Sequence, residues 1–324
     1  MTEVEHRALG QTDIRISPVA MGCWPIAGMT SVDVNDTDSL ATLDAALESG
    51  INFFDTAYCY GAQGESERLI GRGLGDRRDQ IVIATKGGIA WDSQGQRVQD
   101  ASPATLRQQC DESLQRLGTD RVELLYLHGP DPNVPVTESA GELKRLMDEG
   151  KTRSVGVSNF NVEQLEAFQA VCPISAVQPH FNMLQREILQ DIVPWCEANG
   201  ASVIIYWPLM KGLLAGKLPR DHQFAPGDGR AKYPMFQGEQ WQKNQDFVDT
   251  LRRLAIEIGR SVSDLVINWT IHHPGITAAL CGAKRPYQIT ESAAALSWRL
   301  TPDQRQRIDQ AIADRGPVAG RSAV

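Results

Sequence analysis

The stretch GINFFDTAYCYGAQGESERLIGRGL, from Gly50 to Leu74, runs from an apolar segment into an acid, two tyrosines and a pair of glycines, and then into a helical pattern. An apolar run that stops on such residues is a buried strand whose end is presented to something. Gly61 and Gly64 let the backbone turn from that strand end into the next helix. GRGLG at Gly71 to Gly75 follows a helix and not a strand, so it punctuates the helix end instead of cradling phosphate.

The same step recurs along the chain. Candidate strands are PVAMG, INFFDT, QIVIATK, VELLYLH, TRSVGVS, ISAVQ, ASVIIYW and ITAALCG, eight in all. They are dense in Val, Ile and Leu without alternation, as parallel strands buried on both faces are. Between them lie helices with readable ends. SPATLRQQCDESLQRLG carries Ser102 as N-cap, Pro103 in the first turn and Gly118 as C-cap, while Asn161 and Gln164 fit a capping box. Eight βα units with no interrupting linker predict a single (β/α)8 barrel over residues 1–324 in preference to an open doubly wound sheet. HRALGQTDIRIS, within residues 1–17, predicts an N-terminal β-hairpin turning near Gln11 to Asp13, as a lid on the bottom of the barrel. Two segments depart from the pattern. Leu218 to Gln240 is long and rich in Gly, Pro and charge, and is expected to be a mobile loop over the site; residues 314–324 are expected to be a flexible tail.

With 40 acidic against 32 basic side chains and a net charge of −8, the chain is a poor match for nucleic acid or an anionic membrane. The opening MTEVEHRALG has no apolar signal region and no stretch is long enough to span a bilayer, so a cytoplasmic protein is expected. Six cysteines (Cys23, Cys59, Cys110, Cys172, Cys196 and Cys281) are scattered without a C-x-x-C pair and read as reduced thiols. Neighbouring His272 and His273 do not make a metal site, because their ring vectors diverge and no third ligand has suitable spacing.

In such barrels chemistry gathers where strands end. The second candidate strand ends in Asp55, with Tyr60 five residues on; the third ends in Lys86 and the fourth in His128. The next three deliver Ser158 and Asn159, then Gln178, then Tyr206. Reducing a carbonyl leaves an alkoxide that must be protonated, and a free tyrosine is a poor acid at neutral pH. A nearby ammonium stabilises the phenolate, a carboxylate holds that ammonium, and a histidine orients the substrate oxygen. No side chain supplies hydride, so a cofactor must. No G-x-G-x-x-G or phosphate loop follows a strand, which leaves Rossmann and triphosphate modes unsupported.

Nearly end to end the chain resembles the aldo-keto reductase superfamily, through LGQTDIRISPVAMGCW, GINFFDTAYCYGAQGESERLIGRGL, ATKGG, LLYLHGPDP, VGVSNF, QPHFNML, YWPLMKGLLAGK and CGAKRPYQITES. That resemblance implies a catalytic tetrad of Asp55, Tyr60, Lys86 and His128, with Tyr60 chosen over Tyr58 because it immediately precedes the glycine. It implies NADP(H) lying across the barrel mouth. Ser158, Asn159 and Gln178 would bind the carboxamide and Tyr206 would stack on the nicotinamide ring. Trp207, Pro208, Leu209, Gly212 and Lys217 would lie along the pyrophosphate. Gly282, Lys284, Arg285, Gln288, Glu291 and Ser292 would grip the adenosine end, the Lys284–Arg285 pair favouring a 2′-phosphate. Trp207 replaces a small residue of the family pattern and Ser292 replaces an asparagine. Trp24, Tyr58 and Trp91 would wall the substrate pocket.

The function expected is therefore NADPH-dependent reduction of small aldehydes or ketones. Two alternatives stand beside it: a sugar or pyridoxal-type dehydrogenase, and a non-catalytic nucleotide-binding subunit resembling potassium-channel β subunits. The partner expected is a small carbonyl compound, with the oligomeric state open.

Overall fold

The computed structural model describes residues 4–28, 33–226 and 228–318. In chain order the strands are β1 (Arg7–Ala8), β2 (Arg15–Ile16), β3 (Val19–Gly22), β4 (Phe53–Asp55), β5 (Val82–Gly87), β6 (Ile89–Trp91), β7 (Arg97–Gln99), β8 (Leu124–Leu127), β9 (Val155–Ser158), β10 (Ala176–Gln178), β11 (Ser202–Tyr206) and β12 (Ala278–Gly282). The helices are α1 (Asp36–Glu48), α2 (Glu65–Leu74), α3 (Pro103–Leu117), α4 (Val136–Asp148), α5 (Val162–Gln169), α6 (Ile192–Asn199), α7 (Gly238–Glu257), α8 (Val262–Ile271), α9 (Pro286–Ala293) and α10 (Pro302–Arg315).

All eight expected strands are present, as β3, β4, β5 and β8 to β12, and they close in that order into a parallel barrel in which β12 pairs back onto β3. Alternate side chains serve two cores, as strand geometry requires. Phe54, Ile83, Leu125, Leu127, Val155, Val157, Val203 and Ile205 point outward into the helical layer. Phe53, Ala84, Leu124, Tyr126, Ala176, Ile204 and Ala278 fill the interior. The helix ends follow the caps read from sequence. Ser102 accepts from Thr105 N, Asn161 and Gln164 form a reciprocal capping box, and Gly118 closes α3 in the left-handed region.

The β1–β2 hairpin plugs the end where the strands begin. Leu9, Ile14 and Ile16 are buried in the barrel interior, and Gly10 N donates to Ser202 Oγ at the start of β11 at 2.8 Å. A second hairpin, β6 with β7, rises from the opposite face directly after β5.

Two segments expected to be irregular hold packed residues. The connection after Leu218 is pinned by its own apolar residues: Met235 and Phe236 are buried, Phe224 stacks edge-on against Phe236, and Asn244 Nδ2 holds Met235 O at 2.9 Å. Its last residues already belong to α7, which starts at Gly238. At the C-terminus α10 continues through Asp314 and Arg315, and the buried Arg315 guanidinium donates to Asn244 Oδ1 and Gln240 Oε1. Burying that guanidinium requires such partners, and the carbonyl of Pro317 supplies a further one. Residues 319–324 of the expected tail lie outside the described residues.

Candidate active site

Asp55 ends β4 fully buried, and the chain then stays hydrogen-bonded to β5, Thr56 N donating to Ala84 O and Tyr58 N to Lys86 O. This extended run carries the next residues up to the barrel mouth. Gly61 (φ 97°) and Gly64 (φ 72°) then turn the chain into α2 in a backbone region that other residues avoid. Two buried contacts lock the turn from beneath: Thr56 Oγ1 donates to Ser66 Oγ at 2.8 Å, and Thr85 Oγ1 to Glu67 Oε1 at 2.6 Å.

Lys86 is 1% exposed, and each hydrogen of its ammonium has an acceptor. Nζ donates to Asp55 Oδ1 at 2.5 Å, Thr56 O at 2.8 Å and Tyr60 Oη at 3.3 Å. Gln178 Nε2 donates to the other Asp55 oxygen at 2.7 Å. Burial pushes the Asp55 carboxyl upward, against the pull of the Lys86 charge and the Gln178 amide. Burial also raises the Tyr60 phenol well above its usual value, and the Asp55 charge adds to this. That direction is opposite to the sequence expectation that Lys86 makes Tyr60 more acidic. The ammonium is saturated by Asp55 and Thr56, with the phenol as its most distant acceptor.

His128 follows β8, held beside β5 by its backbone N–H on Gly87 O at 2.9 Å. Its ring lies edge-on to Tyr60 with centroids 5.9 Å apart, and Cys59 Sγ sits 3.6 Å from Nδ1. Burial, with the charges of Lys86 and Arg97 added, holds His128 well below the usual histidine range, so the ring is neutral. Burial pushes the Cys59 thiol up to about 11, which leaves it a neutral S–H able to donate to Nδ1.

Two of the three residues expected to wall the pocket lie beside the Cys59–Tyr60 segment. Trp24 meets the Tyr60 ring edge-on at 4.9 Å, and Trp91 Nε1 donates to Cys59 O at 2.7 Å. Tyr58 is a correction: its hydroxyl donates to Glu112 Oε2 at 2.7 Å and its ring lies under Arg116. The turn closed by Tyr60 N on Ala57 O breaks the strand period, so that Tyr58 faces α3 while Tyr60 faces Lys86.

Across the mouth, Tyr206 Oη donates to Asn159 Oδ1 at 2.7 Å, Asn159 Nδ2 to Ser158 Oγ at 3.0 Å, and Ser158 Oγ to Gln178 O at 2.9 Å. Asn159 (φ 61°), Trp207 (φ 62°), Met210 (φ 46°) and Lys211 (φ 55°) all hold left-handed backbone without being glycine. Such strain gathers at functional loops. Beyond Trp207, Pro208 is buried, Leu209 is half-buried and Gly212 adopts φ 91°. Lys217 Nζ pairs with Glu291 Oε2 at 2.5 Å. Gly282 leads from β12 to Lys284, whose backbone N–H is capped by Gln288 Oε1 at 2.9 Å. The Arg285 guanidinium reaches Lys284 O and Asp33 O. Ser292 is turned inward: it is 4% exposed and its hydroxyl donates to Gln288 O at 3.0 Å, so it presents nothing to a ligand. This too corrects the expectation.

Sequence reasoning missed the Gln178–Asp55 bond, the Cys59–His128 contact, and Lys211, whose Nζ lies 3.6 Å from the Trp207 ring centroid. It also missed the β6–β7 hairpin, which the turn residues DSQG at Asp92 to Gly95 signal. His272 and His273 each have Nδ1 on a local carbonyl, of Asn268 and Pro274. No helix among the described residues is long and apolar enough to cross a membrane.

A parallel eight-stranded barrel with Asp, Lys, Tyr and His converging on its C-terminal face defines a class of oxidoreductase, and the chain belongs to the aldo/keto reductase family, whose sequence model matches residues 18–313. It is 34% identical to the aldo-keto reductase YhdN of Bacillus subtilis over 309 residues, covering 94% of this chain and 93% of that one. It is 32% identical to the NADH-specific methylglyoxal reductase of Escherichia coli, covering 90% of this chain and 94% of that one. Among solved structures, the glycerol dehydrogenase of Gluconobacter oxydans superposes with a TM-score of 0.91 at 34% identity, over 100% of this chain and 99% of that one. The chain is accordingly an NAD(P)H-dependent oxidoreductase of small carbonyl compounds.

The donor set at the mouth fits a nicotinamide dinucleotide. Neutral amide and hydroxyl groups of Asn159 and Ser158 are linked to the Tyr206 hydroxyl, the Gln178 amide lies on Asp55, and cations (Lys284, Arg285) stand at the start of α9.

Proposed function

We propose that this protein reduces small aldehydes or ketones with NADPH, with Tyr60 as the general acid. The observation that carries this is the buried Lys86 ammonium, which donates to Asp55, Thr56 O and the Tyr60 oxygen at once. Because Lys86 donates to that oxygen, the phenol's own O–H points away from the lysine, toward the mouth. Burial keeps the phenol protonated at neutral pH, which is the state an acid must start from. His128 is neutral, and with the Cys59 S–H on Nδ1 its Nε2–H is left to donate to the substrate oxygen.

Bound nicotinamide supplies the hydride to the carbonyl carbon. As charge grows on the substrate oxygen, Tyr60 passes its proton there, so that one C–H and one O–H bond form. The phenolate left behind faces an ammonium already in place, which needs no reorganisation to stabilise it. Asp55 holds Lys86 in place, and Gln178 fixes Asp55 in turn. Trp24 and Trp91 wall the pocket and shield it from water.

The preference for NADPH rests on Lys284 and Arg285, adjacent cations suited to a 2′-phosphate. The likeness to a glycerol dehydrogenase supports a second direction, alcohol oxidation, in which Tyr60 as phenolate takes the proton back. Both are tested by following NADPH and NADH absorbance against aldehydes, ketones, sugars and the matching alcohols. Tyr60→Phe keeps the ring, and turnover is expected to fall on the order of 10² or more while nucleotide affinity changes little. Near-native rates in that variant would remove Tyr60 from the role.

A further inference from the structure

In the β6–β7 hairpin Arg97 is directly paired with Trp91. Residues opposite one another in an antiparallel ladder project from the same face. The direction of that face is set by its other members. Ile89 and Trp91 pack with Ala57, Cys59 and Tyr60, and the Trp91 indole is bonded to Cys59 O at 2.7 Å. Arg97 is therefore carried on the side of the hairpin that meets the loop of the proposed acid. Its charge is felt there: after burial and Lys86, it is the remaining influence that holds His128 low.

The Arg97 side chain is exposed and has no hydrogen-bond or ion-pair partner among the described residues. Other arginines near this end of the fold are engaged, Arg116 by Glu67 and Glu112, and Arg107 by Glu142 and Glu149. In a chain with 40 acidic side chains, an arginine without an acid at the mouth is not explained by a shortage of carboxylates. Nor is it placed for the cofactor. β5, from which the hairpin rises, lies across the ring from β11 and β12, where Tyr206 and the Lys284–Arg285 pair sit.

We infer that Arg97 anchors an anionic group of the substrate, so that the preferred carbonyl compounds carry a carboxylate or phosphate near the aldehyde or ketone. The guanidinium fork matches both anions in a bidentate way, and a lone cation at the mouth also draws them in from solution. This rests on the proposal that the Tyr60 site reduces carbonyls.

The test uses two matched pairs: succinic semialdehyde with butanal, and glyceraldehyde 3-phosphate with glyceraldehyde, each with NADPH and NADH. The wild-type protein is expected to favour the anionic member. Arg97→Gln should lower kcat/KM for that member about ten- to a hundredfold, mainly through KM, the worth of one charge-assisted contact. The neutral member should stay within about twofold. Arg97→Lys should recover part of the loss, and added salt should shrink the preference. Equal rates for both members in the wild type, or an equal loss of both in Arg97→Gln, overturns the inference while leaving carbonyl reduction intact. No reduction of any of the four compounds with either cofactor overturns the carbonyl-reductase proposal, and this inference with it. An unchanged melting temperature in Arg97→Gln, expected for an exposed hairpin residue, excludes misfolding.

Discussion

At one side of the barrel mouth Lys86 is 1% exposed and saturated by Asp55, Thr56 O and Tyr60, whereas at the other side Lys217 pairs with Glu291 with 54% of its side chain in solvent. Both are lysine–carboxylate pairs with the same contact distance, 2.5 Å. They differ in surroundings and so in meaning. The buried pair sits on two adjacent strands in a dry interior, where charges interact strongly and geometry is held by the barrel. The exposed pair joins a loop to a helix in water and is screened by salt. On the proposed function, a catalytic group needs the first environment and a releasable cofactor the second.

Breaking the buried side should have the largest effect. Lys86→Met keeps much of the stem but removes the charge, and carbonyl reduction at neutral pH is expected to fall by several powers of ten. It also strands the Asp55 carboxylate, at about 3–5 kcal/mol of stability. Turnover per folded molecule, measured with thermal unfolding on one sample, separates the two. Retained specific activity in a variant that melts early would leave the pair a purely structural role.

The exposed side should respond more gently and more selectively. Lys284→Ala is expected to weaken NADPH about ten- to a hundredfold and to leave NADH nearly untouched, as for loss of one charge-assisted contact. Titration of both nucleotides by fluorescence checks it, and equal losses would place Lys284 away from the 2′-phosphate.

The smallest effect sharpens the comparison within the buried side. Cys59→Ala removes the Nδ1 partner of His128 without touching its charge, and kcat/KM should fall about two- to tenfold, with Cys59→Ser recovering most of it. Because the folded environment lowers the His128 pKa, protonation is displaced to more acidic pH, and reduction should show no step as pH falls through about 6.5, the ordinary histidine value. A step there, or an inactive Cys59→Ser, would break the tautomer assignment.

The barrel was legible because its signals are local. An unbroken apolar run such as Gln80 to Lys86 marks a doubly buried strand, and caps such as Ser102 and Asn161 mark helix starts within a few residues. Asp55, Lys86, His128 and Gln178 could be picked out as strand-end residues, since strand polarity in a βα barrel puts every such end on one face. Directions were not legible. Tyr58 and Tyr60 are two residues apart in one loop, yet one turns to Glu112 and the other to Lys86. Ser292 occupies an expected contact position, but its helix turns it inward.

By itself, then, the sequence determined the eight βα units, their closure and the residue types delivered to the mouth, because periodicity and capping act within a dozen residues. Only the tertiary structure decided which groups meet: Gln178 on Asp55 from 123 residues away, Cys59 on His128, and Arg97 above the same loop. It also decided the sense of the Tyr60 shift, because burial and the net field of several charges depend on everything packed around the phenol and on no single neighbour in the chain.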